Sequence, residues 1–143
     1  MKLLFLFQLC FLLIANPSYS QDEKIPESQQ KYIRKFTNAV SKRSEKEIFK
    51  LLDKKYRKEQ LKFLSGNRTQ LINELFGGSD LETNDYRNIK FSHILKIEVA
   101  EVIREKNGMY KYIFRIKTSD FEIFTSLLLN KKGKKYGFTG PVG

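Results

Sequence analysis

The stretch FSHILKIEVAEVIREKNGMYKYIFRIKTSDFEIFTSLLL, residues 91–129, decides the fold. In its first segment Phe91, His93, Leu95, Ile97 and Val99 share one face while Lys96 and Glu98 take the other, the period of two expected of a half-buried strand. In the second, Tyr110, Tyr112, Phe114 and Ile116 alternate with Lys111, Arg115 and Lys117. Glu105-Lys106-Asn107-Gly108 lies between them, and Asn-Gly tolerates positive φ at both centres of a type I′ turn, so the pair reads as an antiparallel hairpin. The third segment, 121–129, is apolar on both faces: Phe121, Ile123, Leu127 and Leu129 on one, Phe124 and Leu128 on the other. A central or doubly covered strand is expected there. Asn130-Lys131-Lys132-Gly133 makes the next turn, and Tyr136 with Phe138 marks a last short strand before the tail at 140–143.

Upstream the period changes to that of helices. Pro26 closes a polar, flexible leader at 21–27 and introduces a helix with Ile33, Phe36, Thr37 and Val40 on one face and Lys31, Arg34, Lys35 and Lys42 on the others. Ser44-Glu45-Lys46-Glu47 matches a capping box, which starts a second helix carrying Ile48, Leu51, Leu52 and Tyr56 inward, with Asp53 and Arg57 as an outer i, i+4 pair. Leu61, Phe63 and Leu64 continue as a short helical turn before the breaker Ser65-Gly66-Asn67. A further helix follows, lined by Leu71, Ile72, Leu75 and Phe76 and closed by Gly77-Gly78 in the left-handed conformation. Residues 79–88 read as an acidic surface connection, and there is no internal repeat. The class is α+β: N-terminal amphipathic helices packed on one face of a curved antiparallel sheet of about four strands in meander order.

Residues 1–20 combine Lys2, an apolar run over 3–15, and small residues at Ser18 and Ser20, the pattern of an export signal cleaved near Gln21. The run is short for a membrane span, so no span is expected once the signal is removed. Cys10 lies inside the run, which does not suit a lipoprotein cysteine, and after cleavage no cysteine remains for a disulfide or a thiol nucleophile. The signal makes the expected location secreted or periplasmic. The lack of cysteine weakens the picture of a small toxin or growth-factor scaffold, which normally relies on several bridges, so a bacterial periplasm or exterior fits better. The roughly 120 residues that remain can bury about two thirds of their unfolded surface, enough for one core, so a single domain is expected over 28–139.

An amphipathic helix at 32–40, a capped helix from Glu45, the run Leu71-Ile72-Asn73-Glu74-Leu75-Phe76-Gly77-Gly78 and a terminal meander together resemble the nuclear transport factor 2-like, or cystatin-like, small exported proteins over 28–139. The resemblance implies a curved sheet wrapped on the first helix and enclosing a conical pocket. Tyr32, Phe36, Val40, His93, Leu95, Tyr112 and Phe114 are the residues expected to line it. That superfamily ranges from isomerases, dehydratases and epoxide hydrolases to binding and assembly modules. The Gln-x-Val-x-Gly loop and Pro-Trp pair of cystatin inhibitors are absent, and the chain has no Trp.

Few residues offer chemistry. His93, the only histidine, would be a general base tuned by burial, or else a hydrogen-bonded histidine at the core rim; no carboxylate or nucleophile is placed beside it. Asp80, Glu82 and Asp85 lack calcium-loop spacing and a bidentate glutamate, so they read as a solvated loop, and neither metal nor cofactor is expected. There is no phosphate-cradling glycine loop and no serine elbow. Asn67-Arg68-Thr69 is a glycosylation acceptor if the source is eukaryotic.

Charge is the remaining signal. Lys plus Arg number 27 against 16 Asp plus Glu, a net +11, or +10 once Lys2 leaves with the signal. Such a surface attracts anionic partners in a salt-dependent way, although lysine also simply supplies the solvated face of amphipathic segments. Two clusters stand out as anion-binding candidates: Lys54, Lys55, Arg57 and Lys58 around Tyr56, and Lys131, Lys132, Lys134 and Lys135 around Tyr136. Lysine with tyrosine can hold a phosphate backbone and stack on bases, but export argues against nucleic acid, and turn lysines also deter strand aggregation. The function expected is an exported non-enzymatic binding module for a small apolar ligand or a protein partner, using the pocket between first helix and sheet. One alternative is a small isomerase- or hydrolase-type enzyme using His93; another is adhesion to anionic surfaces through the lysines. A homodimer is compatible with each. Convergent titratable groups in a pocket would favour the enzyme, a dry apolar pocket the binder, and one contiguous basic face the adhesion reading.

Overall fold

The computed structural model describes residues 24–141; the expected export signal, residues 21–23 of the leader and 142–143 of the tail lie outside them. Pro26 stands at the N-cap of α1 (Glu27–Ser41), and its carbonyl accepts the amides of Gln29 and Gln30. Ile33, Phe36, Ala39 and Val40 form the buried apolar stripe of α1. Ser44 caps α2 (Glu45–Leu51) by accepting the Glu47 amide. The Ser44 amide itself donates to the Ala39 carbonyl at 2.9 Å, so it is already satisfied by α1.

The single second helix expected from the periodicity is two helices. Leu52 is extended, and Asp53 caps α3 (Lys54–Phe63), its Oδ1 accepting the amides of Lys55 and Tyr56 at 2.9 and 3.1 Å. Asp53 is therefore not the ion-pair partner of Arg57: a carboxylate that satisfies two otherwise orphaned helix amides outcompetes an exposed i, i+4 pair. Asn67 caps α4 (Arg68–Glu74) by accepting the Gln70 amide at 3.0 Å.

Gly77 and Gly78 do not take the left-handed conformation. Gly78 opens β1 (Gly78–Asp80), where a Cβ would lie 1.9 Å from the Phe124 carbonyl oxygen. The segment expected as a plain surface connection folds as a hairpin of β1 with β2 (Tyr86–Arg87). Asp80 holds its turn by accepting the amides of Glu82 and Thr83 and pairing with Arg87. The sheet thus has six antiparallel strands rather than four.

The other strands are β3 (Lys96–Arg104), β4 (Tyr110–Lys117), β5 (Glu122–Lys132) and β6 (Lys135–Pro141), in the meander order expected. β5 is central: β4 runs along one edge, while β1 and β6 share the other. Its Ile123, Thr125, Leu127 and Leu129 face the core, and Phe124 is 38% exposed on the other face, so the strand is covered on one side only. The β3–β4 turn is not type I′. The Gly108 amide donates to the Glu105 carbonyl and Gly108 alone has positive φ, the pattern of a type I turn followed by a left-handed glycine. Residues Phe91–His93 form a 3₁₀ turn instead of the start of a strand. The Phe91 amide donates to the Asn73 side chain at 2.8 Å, and this tie to the end of α4 breaks the alternation before β3 begins.

Phe36 brings α1 onto the inner face of the sheet: its ring lies 4.6 Å from that of Phe138 and 5.4 Å from that of Phe114. Leu71, Ile72, Leu75 and Phe76 from α4 and its C-terminal turn complete the core.

Candidate functional site

The pocket expected between α1 and the sheet is occupied by the protein's own rings. Phe36 and Phe114 are fully buried, Val40 and Tyr112 nearly so, and Tyr112 spans the gap by accepting a hydrogen bond from Gln29 Nε2 at 2.7 Å. Tyr32 donates to the Leu51 carbonyl and packs against Tyr136 and Phe138. Burial pushes the Tyr32 hydroxyl well above its ordinary pKa, so it stays a neutral donor. The two remaining candidates are outside the core altogether: Leu95 is 60% exposed, and His93 is exposed on the 3₁₀ turn. These seven residues do not line one cavity.

The two basic clusters do meet. A cleft of about 550 Å³ opens where α3 begins and where the β5–β6 turn folds back. Lys54, Lys55, Arg57 and Lys58 line one wall; Lys132, Lys135 and Tyr136 line the other. Three local features bring them together. Leu52 forms a parallel bridge with Phe138, the Asp53 amide donates to the Phe138 carbonyl at 2.7 Å, and Gly137 has no side chain to hold the backbones apart. A Cβ on Gly137 would lie 2.7 Å from the Asp53 Cα.

Sequence reasoning missed Lys50 and Asn130, which complete the lining, and it included Lys131 and Lys134, which are outside it. Lys131 lies over the Tyr136 ring at 5.7 Å, and Lys134 is exposed at the tip of the turn. A signal for the meeting was present in Gly137, since a glycine inside a strand marks close backbone approach.

The cleft carries seven cationic side chains and one carboxylate, Asp53. That carboxylate is committed: Oδ1 holds two helix amides and Oδ2 lies 3.2 Å from Lys132 Nζ. Burial opposes its ionised form, but the Tyr56 amide, Lys132 and the Lys55 amide together outweigh burial and hold it below the usual carboxylate range. It therefore stays charged near neutral pH and is engaged in structure. Lys55 is 3.9 Å from Glu59, whereas Lys50, Lys54, Lys58 and Lys135 have no carboxylate partner among the described residues. Arg57 is held in place, donating from Nη1 to the Phe49 carbonyl at 3.1 Å, and its guanidinium shares the Phe49 ring with that of Arg68. Several ammonium groups without a carboxylate partner thus surround a fixed guanidinium on one concave surface.

A second hollow, of about 680 Å³ beside the β1–β2 hairpin, has Glu101 as its one charged lining residue. Among the described residues no group of three or more His, Cys, Asp or Glu could hold a metal ion, and no helix is long and apolar enough to cross a membrane. No family model, curated protein or solved structure matches this chain.

Proposed function

We propose that this chain is an exported, non-enzymatic binding module whose ligand is anionic and is held at the cleft between α3 and the β5–β6 turn. What carries the reading is the convergence of two lysine clusters, distant in sequence, on one concave surface whose single carboxylate is used as a helix cap. The same charges scattered over several faces would have supported only a solvated surface. The interior is consistent with a surface site, because Phe36, Phe114 and Phe138 are fully buried and packed on one another between α1 and the sheet. Export is supported by the pattern of residues 1–20.

The test compares two triple charge reversals of equal net charge. Lys54→Glu, Lys58→Glu and Lys135→Glu alter the cleft; Lys90→Glu, Lys106→Glu and Lys117→Glu alter exposed sites elsewhere. Binding of fluorescent inorganic polyphosphate, followed by anisotropy at low salt, is expected to weaken about tenfold or more for the first set and only slightly for the second. Equal losses from both sets would reduce the cleft to a share of net charge and overturn the reading, as would no binding by the unaltered protein.

A further inference from the structure

We infer that the anion this module meets is a linear acidic polysaccharide, long enough to leave the cleft over Lys50 and enter a second basic hollow between α1 and α2; the inference rests on the anionic reading of the cleft. That hollow, of about 310 Å³, is lined by Lys35, Asn38, Lys42, Glu47, Lys50 and Leu51. Lys35, Asn38 and Lys42, the last at the C-cap, stand at i, i+3 and i+7 of α1, so they share one face and reach along about 10 Å of its axis. Lys50, in the last turn of α2, lines the hollow and the cleft alike. Glu47 is the hollow's one acid, and Lys35, Lys42 and Lys50 have no carboxylate partner among the described residues. Cleft and hollow therefore form one basic track, longer than a single small anion can use. A chain with charges repeated along it gains the second set of contacts at little further loss of freedom.

The lining separates a polysaccharide from other linear polyanions. Single-stranded nucleic acid is held by bases stacked on aromatic rings. Tyr136, the one ring in the lining, is already packed on Tyr32 at 5.5 Å, lies under Lys131 at 5.7 Å and shares a hydrogen bond with Ser28. Inorganic polyphosphate, in turn, offers oxygen acceptors to the lysines and almost nothing that donates. Yet cleft and hollow each present an asparagine, Asn130 and Asn38, whose side chain has no hydrogen-bond partner among the described residues. A primary amide carries donors and an acceptor together, and sugar hydroxyls, which both donate and accept, can use both. The carboxylates of uronic acid units would meet the lysines.

Fluorescent oligomers of galacturonic acid, about three and about twelve units long, test length and chemistry together when binding is followed by anisotropy at low salt. The long oligomer is expected to bind about tenfold or more tightly than the short one. Lys35→Glu with Lys42→Glu is expected to remove that advantage while short-oligomer binding stays nearly the same. Lys90→Glu with Lys106→Glu, equal in charge and at exposed sites elsewhere, is expected to leave the advantage in place. Asn38→Ala with Asn130→Ala is expected to weaken the long oligomer several-fold and polyphosphate not at all. Equal binding of long and short oligomers, or equal effects of the two lysine pairs, overturns the inference. So does an asparagine variant with unchanged affinity, or polyphosphate binding without binding of either oligomer, and both of these leave the cleft reading intact. Binding to neither polymer overturns both.

Discussion

The Asp53 carboxylate divides its two oxygens between the start of α3 and Lys132, so one side chain joins a helix cap to the far wall of the cleft. Its pKa in the folded protein lies below the ordinary value, which sets the sign of the pH dependence: the stabilisation is in full force above the unfolded value of about 4 and is lost as pH falls through the folded one. Asp53→Ala is expected to lower unfolding stability at pH 7 by about 1–2 kcal/mol in urea titrations. Asp53→Asn keeps an acceptor for the amides, and is expected to lose less at pH 7 and to flatten the acid side of the stability profile. The spacing of Asp53 and Arg57 suggested an ion pair because i, i+4 geometry presumes that the helix is continuous. The break at Leu52 made Asp53 a cap, and the residues after it, Lys-Lys-Tyr, contain no acidic group that would have announced a new helix start. His93 was misplaced for a related reason: alternation over a few residues does not distinguish a strand from an extended approach, and the tie from the Phe91 amide to Asn73 depends on a residue distant in sequence.

Among the elements, β4 was the most legible, since it alternates long enough for its period to be unmistakable and its inward Tyr112, Phe114 and Ile116 are buried. By contrast β5, apolar on both faces in sequence, shows its alternation only in its burial. β1 and β2, of three and two residues, are too short to show any period. They exist because Gly78 lets the backbone approach Phe124 and Asp80 closes the turn. β6 was legible as a strand, but its junction with the α2–α3 link was not. At that junction Gly137→Ala would put a methyl group 2.7 Å from the Asp53 Cα, against backbone rather than a movable side chain. The expected result is a loss of about 1–3 kcal/mol in thermal or urea unfolding, with anion binding weakened in the fraction that remains folded. Stability unchanged by the substitution would mean that the two backbones are not held at this separation.

Over the whole molecule the excess of cations could be counted from composition, and both clusters could be seen as runs. Their juxtaposition could not, because no local pattern pairs the beginning of a helix with a hairpin near the other end of the domain. Collecting the charge on one concave surface has a measurable effect: exposed charges are screened beyond about 8 Å at physiological ionic strength, so affinity for polyphosphate is expected to fall by about tenfold or more between about 0.05 and 0.5 M salt. An affinity indifferent to salt would show that apolar contacts, not the lysines, dominate.

The bridge between Leu52 and Phe138 also sets an order of events during synthesis. A growing chain presents the lysines of α3 long before β6 has emerged, on a helix none of whose residues is fully buried even in the folded protein. The cleft thus has only one of its two lysine-bearing walls until the last strand pairs with β5.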